Sequence, residues 1–141
     1  MTHTEIEREF ITYERYGKMA QRLTELLECE KFTKIYGPPR GGLPIAVHLA
    51  HHLDLPLITT EDFISNMNKW LRSDRLLVVD DIINNGKTIS ALIQMLKIRK
   101  IAHFTAVLFY KSHAIFKPDL YLETTDKWIV FPWERPDEGP R

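Results

Sequence analysis

The stretch from Arg75 to Ala91 constrains this chain more than any other part of it. Leu76-Leu77-Val78-Val79 is an unbroken, partly β-branched apolar run, the pattern of a strand buried on both faces as in a parallel sheet. Asp80 and Asp81 end that run, which places two carboxylates at the carboxyl end of a strand, where open α/β sheets bind ligands. After Asn84-Asn85-Gly86 the apolar spacing becomes helical, with Ile89, Leu92, Ile93 and Leu96 on one stripe. The turn therefore delivers backbone N–H groups and Thr88 to a helix N-terminus, an anion site beside two acids. Asp and Asn also suit plain turns and helix caps. Two ionised groups at one strand tip nevertheless repel each other and call for a cation or hydroxyl donors. A nucleotide-binding P-loop is excluded: Gly86-Lys87-Thr88 matches its end, but its first glycine would fall at Asp81.

A second loop has the same construction. Lys34-Ile35-Tyr36 reads as a short strand, Gly37-Pro38-Pro39-Arg40-Gly41-Gly42 as a turn, and Leu43, Ala46, Val47, Ala50 and Leu53 as the apolar face of a helix with Pro44 in its first turn. Gly and Pro are ordinary punctuation between strand and helix. Here the glycines also let a ligand approach the backbone, the helix start supplies donors, and Arg40 adds a planar, bidentate anion partner.

Around these loops, Tyr16, Met19, Ala20, Leu23, Leu26 and Leu27 recur at helical steps between Tyr13 and Glu30 and predict an amphipathic helix whose work is core packing. Leu57-Ile58-Thr59 predicts a strand, whereas Glu61 to Asp74 shows no sustained periodicity. Phe104 to Tyr110 predicts a further apolar strand with Lys111 at its carboxyl end. Asp119 to Leu122 and Trp128 to Glu134 predict a strand, a turn and an aromatic C-terminal section. Residues 1–11 and 135–141 read as loose ends. His48 and His52 have the four-residue spacing of a zinc protease helix, but Leu49 stands where that motif requires glutamate. With no further His or Cys at ligand spacing, the His48, His51 and His52 group reads as a solvated helix face or subunit contact.

The 141 residues fit a single domain, and 44% apolar with 27% charged residues is the composition of a soluble globular protein. Nineteen basic and nineteen acidic residues give no reason to expect nucleic acid. No apolar run approaches the roughly 20 residues that a membrane span needs. Cys29 stands alone and cannot form an internal disulfide, and the charged N-terminus lacks a secretory segment, so a cytoplasmic location is expected.

Asp80-Asp81-Ile82-Ile83-Asn84-Asn85-Gly86-Lys87-Thr88 resembles the phosphoribosyl pyrophosphate signature of type I phosphoribosyltransferases, particularly the xanthine-guanine and hypoxanthine-guanine enzymes. The resemblance extends from Tyr13 to Glu134 with four motifs in order. It implies an α/β fold with a mostly parallel sheet flanked by helices, a short lid over Glu61 to Asp74, and an aromatic C-terminal base-binding region. It implies that Asp80 and Asp81 hold the ribose hydroxyls and Mg2+, that Asn84, Asn85, Gly86, Lys87 and Thr88 cradle the 5'-phosphate, and that Arg40, Gly41 and Gly42 hold pyrophosphate. A nonplanar or cis peptide beside Arg40 fits that loop. Lys111 would donate to a purine 6-oxygen, Trp128 would stack on the base, the Ile129 backbone would meet its 2-position edge, and Glu134 would lie near the metal. An ammonium cannot accept from the 6-amino group of adenine, so Lys111 implies 6-oxopurines.

The implied reaction moves the 5-phosphoribosyl group to N9 of xanthine, guanine or hypoxanthine and releases pyrophosphate, in a homodimer or homotetramer. Asn84 departs from the pattern. The purine enzymes carry an aspartate there as proton acceptor, and an amide cannot act as a general base at neutral pH. The departure keeps two other readings open: a weakly active or non-catalytic nucleotide-sensing regulator, and a transferase for another base.

Overall fold

The computed structural model describes residues 6–137. In chain order the elements are β1 (Arg8–Phe10), α1 (Tyr13–Leu27), β2 (Lys34–Tyr36), α2 (Gly42–His52), α3 (Thr60–Asn66), a 3-10 turn (Met67–Lys69), β3 (Arg75–Ile83), α4 (Lys87–Ile98), β4 (Ala102–Tyr110), β5 (Leu120–Thr124) and β6 (Trp128–Val130). β2, β3, β4 and β5 lie side by side in that order, every pair parallel, and β1 and β6 form a separate parallel pair. The expected α/β architecture is therefore present.

Parallel strands need apolar cover on both faces, and β3 supplies it by alternation. Leu77 and Val79 face a cluster with Met19, Leu23 and Leu27 of α1 and Ile45 and Leu49 of α2. Leu76 and Val78 face the opposite cluster with Phe63, Met67 and Ile89, Ile93 and Leu96 of α4. Each such aliphatic side chain contributes roughly 1.5–3 kcal/mol when fully buried, so the sheet's helices are held mainly by this two-sided burial.

Four local expectations change. The acids do not end β3: pairing resumes at Ile82 with Phe109 and at Ile83 with Tyr110, because both isoleucines are buried and β4 still offers its edge. The loose end expected over residues 1–11 contains β1, since Arg8, Glu9 and Phe10 pair with Trp128, Ile129 and Val130. The Arg8 guanidinium also donates to the Pro136 carbonyl, 3.2 Å away, tying the two ends together. Residues 1–5 and 138–141 of the expected loose ends lie outside the described residues.

At the expected strand Leu57-Ile58-Thr59, only Leu57 bridges to Ile35, and the Thr59 side chain instead caps α3 by accepting from the Asp62 N–H. The lid interval, finally, is packed against the core. Phe63 and Met67 are each 3% exposed. Tyr36 stacks on Phe63 at 4.8 Å, and the Tyr36 and Thr60 hydroxyls lie 3.0 Å apart. At its end the Asp74 carboxylate accepts from the Leu71 N–H at 2.7 Å and the Thr33 hydroxyl at 2.9 Å and pairs with Lys34 at 3.3 Å. Burial alone would push this carboxyl up; those three donors outweigh it and hold Asp74 below the usual range.

Candidate active site

A cleft of about 360 Å³ opens where β3 meets the loops on either side of it. Pro38, Pro39, Arg40 and Gly41 line one wall; Asp80, Asp81, Ile82 and Ile83 form the floor; Asn84, Asn85, Gly86, Thr88 and Ile89 line the other. Both walls lead into helices, α2 and α4, so two helix N-termini flank an acidic floor. Each N-terminus carries roughly half a positive charge together with N–H groups that have no partner within the helix. The result is two anion-binding ends separated by two carboxylates. Arg40 is exposed on the rim, after a cis Pro39–Arg40 peptide.

The acids are held by their own backbone. An Asp80 Oδ1 accepts from the Asp81 N–H at 2.8 Å, and an Asp81 Oδ1 accepts from the Ile82 N–H at 2.7 Å. Asp81 is 2% exposed, whereas Asp80 is half-buried. Gly86 takes φ +83°, and a Cβ there would meet the Phe116 N at 2.9 Å, so only glycine fits this turn. The Asn85 Oδ1 accepts from the Lys87 N–H at 2.8 Å, which leaves the Asn85 NH₂ as the group that can donate to an anion. The Lys87 side chain does not line the cleft.

A brace from behind holds the same turn. The Lys111 N–H donates to the Ile83 carbonyl at 3.1 Å, the Ala114 N–H to the Lys111 carbonyl at 2.9 Å, and the Ile115 N–H to the Asn85 carbonyl at 2.8 Å. Lys111 is 7% exposed, and its ammonium stands 5.3 Å from the centre of the Trp128 ring. Burial lowers its pKa from 10.5, and the nearby charge of Asp126 only partly restores it. Ile129 is buried in the core. Trp128 N–H donates to Glu7 O and Val130 O accepts from Ile11 N–H; alternate residues of a parallel strand bond to one neighbour, so the Ile129 backbone groups face the other edge.

Two expected site residues have other work. Gly42 does not line the cleft; its N–H donates to the Pro38 carbonyl at 2.9 Å, and a Cβ there would meet Pro38 Cδ at 2.9 Å and the Gly37 C and Val79 O at 3.0 Å. It is the contact point between the Arg40 loop and β3, while Gly41 faces the cleft. Glu134 also lies off the cleft: its Oε1 accepts from the Phe131 N–H at 2.9 Å and closes its own turn. Among the described residues no three His, Cys, Asp or Glu are grouped to hold a metal. Asp80 and Asp81 alone nevertheless suit Mg2+, which binds through one or two hard carboxylate oxygens, keeps water, and completes its shell with ligand phosphates. His48 and His52 stack at 4.0 Å, with the His52 Nδ1 2.8 Å from the His48 carbonyl. Burial, then the neighbouring His52, lowers the His48 pKa.

Pattern reasoning missed Tyr16. Its position marks it as one more apolar-stripe residue of α1, yet its hydroxyl is buried and finds no hydrogen-bond partner among the described residues. Leaving such a group unsatisfied costs about 1–3 kcal/mol. Burial, followed by the charges of Asp81 and Asp80, pushes the hydroxyl above the usual tyrosine range and keeps it a protonated donor.

A parallel sheet with two glycine-turn anion sites on either side of an acid pair is the architecture of a phosphoribosyltransferase. The phosphoribosyl transferase domain profile matches residues 4–138, and the chain belongs to that family of pentosyl-transferring enzymes. The solved structures it resembles include a purine phosphoribosyltransferase from Pyrococcus horikoshii, 29% identical over 96% of this chain and 99% of that one, with a TM-score of 0.80. A xanthine-guanine-hypoxanthine phosphoribosyltransferase from Helicobacter pylori is 24% identical over 92% and 93% of the two chains, with a TM-score of 0.77. A Neisseria gonorrhoeae protein with bound ppGpp is 21% identical over 96% and 93%, with a TM-score of 0.76. No curated protein sequence matches the chain. No described helix is long and apolar enough to cross a membrane.

Proposed function

We propose that this protein transfers the 5-phosphoribosyl group of phosphoribosyl pyrophosphate to N9 of a 6-oxopurine, xanthine, guanine or hypoxanthine, and releases pyrophosphate. The observation that carries the proposal is the cleft itself, with acids between two helix N-termini and, behind one wall, a buried lysine beside a half-buried tryptophan. A donor that has a phosphate at one end, a pyrophosphate at the other and a diol between them matches that order of charges. The 29% identity to a purine phosphoribosyltransferase along nearly the whole of both chains supports a purine acceptor.

In this reading the α4 N-terminus, the Thr88 hydroxyl and the Asn85 NH₂ hold the 5'-phosphate. Arg40 and the Gly41 amide hold the pyrophosphate, and Asp80 and Asp81 accept from the ribose hydroxyls. Mg2+ on the acids would neutralise charge on the departing pyrophosphate. The C1'–O bond breaks with pyrophosphate leaving, N9 bonds to C1', and the proton of the base passes to water or to the departing pyrophosphate. Lys111 donates to the 6-oxygen and Trp128 offers its ring face, a stacking contact of about 1–3 kcal/mol per base. Asn84 lines the cleft and can orient N7 through its NH₂, but it cannot take the proton. A base that enters already ionised needs least help, which favours xanthine.

Asn84 also favours a second reading, a nucleotide-binding regulator that carries out little or no transfer. Incubating the protein with Mg2+, phosphoribosyl pyrophosphate and each of xanthine, guanine, hypoxanthine and adenine separates the two. Nucleotide formed from an oxopurine and not from adenine is the expected outcome. Tight nucleotide binding with no product from any base would establish the regulator instead.

A further inference from the structure

We infer that Arg15 is a positioning residue for the base pocket, its guanidinium fixing the small β1–β6 pair, which carries Trp128, against the main sheet, which delivers Lys111. The inference rests on the base-binding reading of Lys111 and Trp128 and adds to it a side chain of α1, an element that contributes no lining to the cleft.

The two base-binding residues come from different sheets. Lys111 directly follows β4 of the four-stranded sheet, whereas Trp128 opens β6, whose strand partner is β1. The ammonium stands 5.3 Å from the centre of the indole ring, so the spacing of the pocket is set by how the two sheets meet. Much of what holds the small pair in place is apolar: Ile129 and Phe131 are buried in the core, and the Phe131 ring lies 5.9 Å from the Phe109 ring. Apolar burial attracts without fixing a direction. The Trp128 N–H donates to the Glu7 carbonyl at 2.8 Å and Lys127 stands 3.5 Å from Glu7, contacts that set β6 on β1 and not on β4.

Arg15 supplies a direction across the junction. Its Nη1 donates to Glu9 Oε1 at 2.7 Å, and its Nη2 donates to Glu123 Oε2 and Oε1 at 3.1 and 3.4 Å. Glu9 is the middle residue of β1 and lies opposite Ile129, the neighbour of Trp128. Glu123 lies on β5 opposite Phe109, two residues before Lys111. The guanidinium carbon also stands 5.8 Å from the centre of the Phe109 ring. One rigid, planar group thus touches both sheets close to the residues assigned to the base. Without it, Glu9 and Glu123 would be left as like charges on either side of the junction, which repel.

Arg15→Met keeps the length of the side chain and removes the fork. Small misplacements in such sites can reduce function by up to about 10²-fold, and the Michaelis constant for the oxopurine is expected to rise by about 10-fold. Affinity for phosphoribosyl pyrophosphate, titrated calorimetrically with Mg2+ present, should stay at the wild-type value, because the cleft that would hold it is built from other elements. Glu9→Gln should raise the same Michaelis constant, and its addition to Arg15→Met should raise it no further, since groups that share one interaction are not additive. All assays are run well below the melting temperature of each variant. A Michaelis constant indistinguishable from that of the wild type overturns the role of Arg15, even where the melting temperature falls. Equal weakening of base and phosphoribosyl pyrophosphate, or effects of Arg15→Met and Glu9→Gln that simply add, overturns it as well. A wild type that forms no nucleotide from any oxopurine overturns the base-pocket reading and this inference with it.

Discussion

Two glycines that look alike in the sequence should respond with opposite sign to the same methyl group. Gly17 lies within α1, and a Cβ there meets nothing within 4 Å. Gly17→Ala therefore gains only helix propensity, about 0.5–1 kcal/mol. For a chain of this size, that corresponds to a melting temperature higher by about 2–4 °C. Gly42 opens α2, and the same Cβ meets Pro38 Cδ at 2.9 Å and the Gly37 C and Val79 O at 3.0 Å, two of the three being backbone. Ordinary contact begins near 3.4 Å, so the Arg40 loop and β3 must separate by a few tenths of an ångström. Overpacking of this kind costs about 1–3 kcal/mol, or roughly 3–10 °C. Because Val79 immediately precedes Asp80, the separation also moves Arg40 and Gly41 away from the acids, and small misplacements in such sites can reduce function by about 10²-fold. Thermal denaturation of both variants, with calorimetric titration of phosphoribosyl pyrophosphate and Mg2+, measures both effects. The packing argument is refuted if Gly42→Ala melts within a degree of the wild type and binds the ligand equally well. It is also refuted if Gly17→Ala melts lower.

Lys111→Met removes a buried ammonium but keeps a long side chain, so stability should hold or rise while the Michaelis constant for an oxopurine rises by about 10- to 100-fold. Because burial lowers the Lys111 pKa, the unfolded chain binds the extra proton more tightly. Wild-type stability should therefore climb with pH through the window below 10.5, and denaturant melts of the Met variant should lack that climb. Asp74→Ala strips the acceptor from Leu71 N–H, the Thr33 hydroxyl and Lys34 and should cost about 2–4 kcal/mol near neutral pH. Since the folded Asp74 carboxyl lies below 3.8, urea melts should show that gap closing as pH falls below this value, and a gap independent of pH would argue against the ion-pair account. Asn84→Asp supplies a general base beside the base pocket and should raise turnover with guanine or hypoxanthine by at least about 10-fold in steady-state assays, whereas no increase would mean that proton removal does not limit the reaction.

What the sequence made legible is what neighbouring residues encode among themselves. The apolar run of β3, the glycine turn after it and the α4 stripe are each set by short-range patterns, and they place Asp80, Asp81, Asn84, Asn85, Gly86 and Thr88 around one cleft. β1 was not legible because Arg8-Glu9-Phe10 has no apolar pattern of its own; it becomes a strand only by pairing with β6, more than a hundred residues away. Packing of the supposed lid left a faint trace, since Phe63, Met67 and Trp70 follow one another at helical steps of four and three. Gly42 shows a different limit. In an Arg-Gly-Gly loop, a glycine that admits a ligand and one that admits a neighbouring strand read the same, and only the position of Val79 separates them.

The segment from Lys111 to Phe116 shows why such nonlocal contacts matter for the chemistry. Its first residue carries the ammonium assigned to the base, and its backbone holds the Ile83 and Asn85 carbonyls, while Phe116 backs Gly86. Two hydrogen bonds, from the Lys111 N–H to the Ile83 carbonyl and from the Ile115 N–H to the Asn85 carbonyl, thus join this segment to the turn that would hold the phosphate. Asn84 sits in the middle of that braced turn. With the Ile83 and Asn85 carbonyls on either side of it held from behind, Asn84→Asp should change proton chemistry with little change in loop shape, so under the proposed reaction the variant is expected to alter turnover while leaving binding of phosphoribosyl pyrophosphate nearly unchanged.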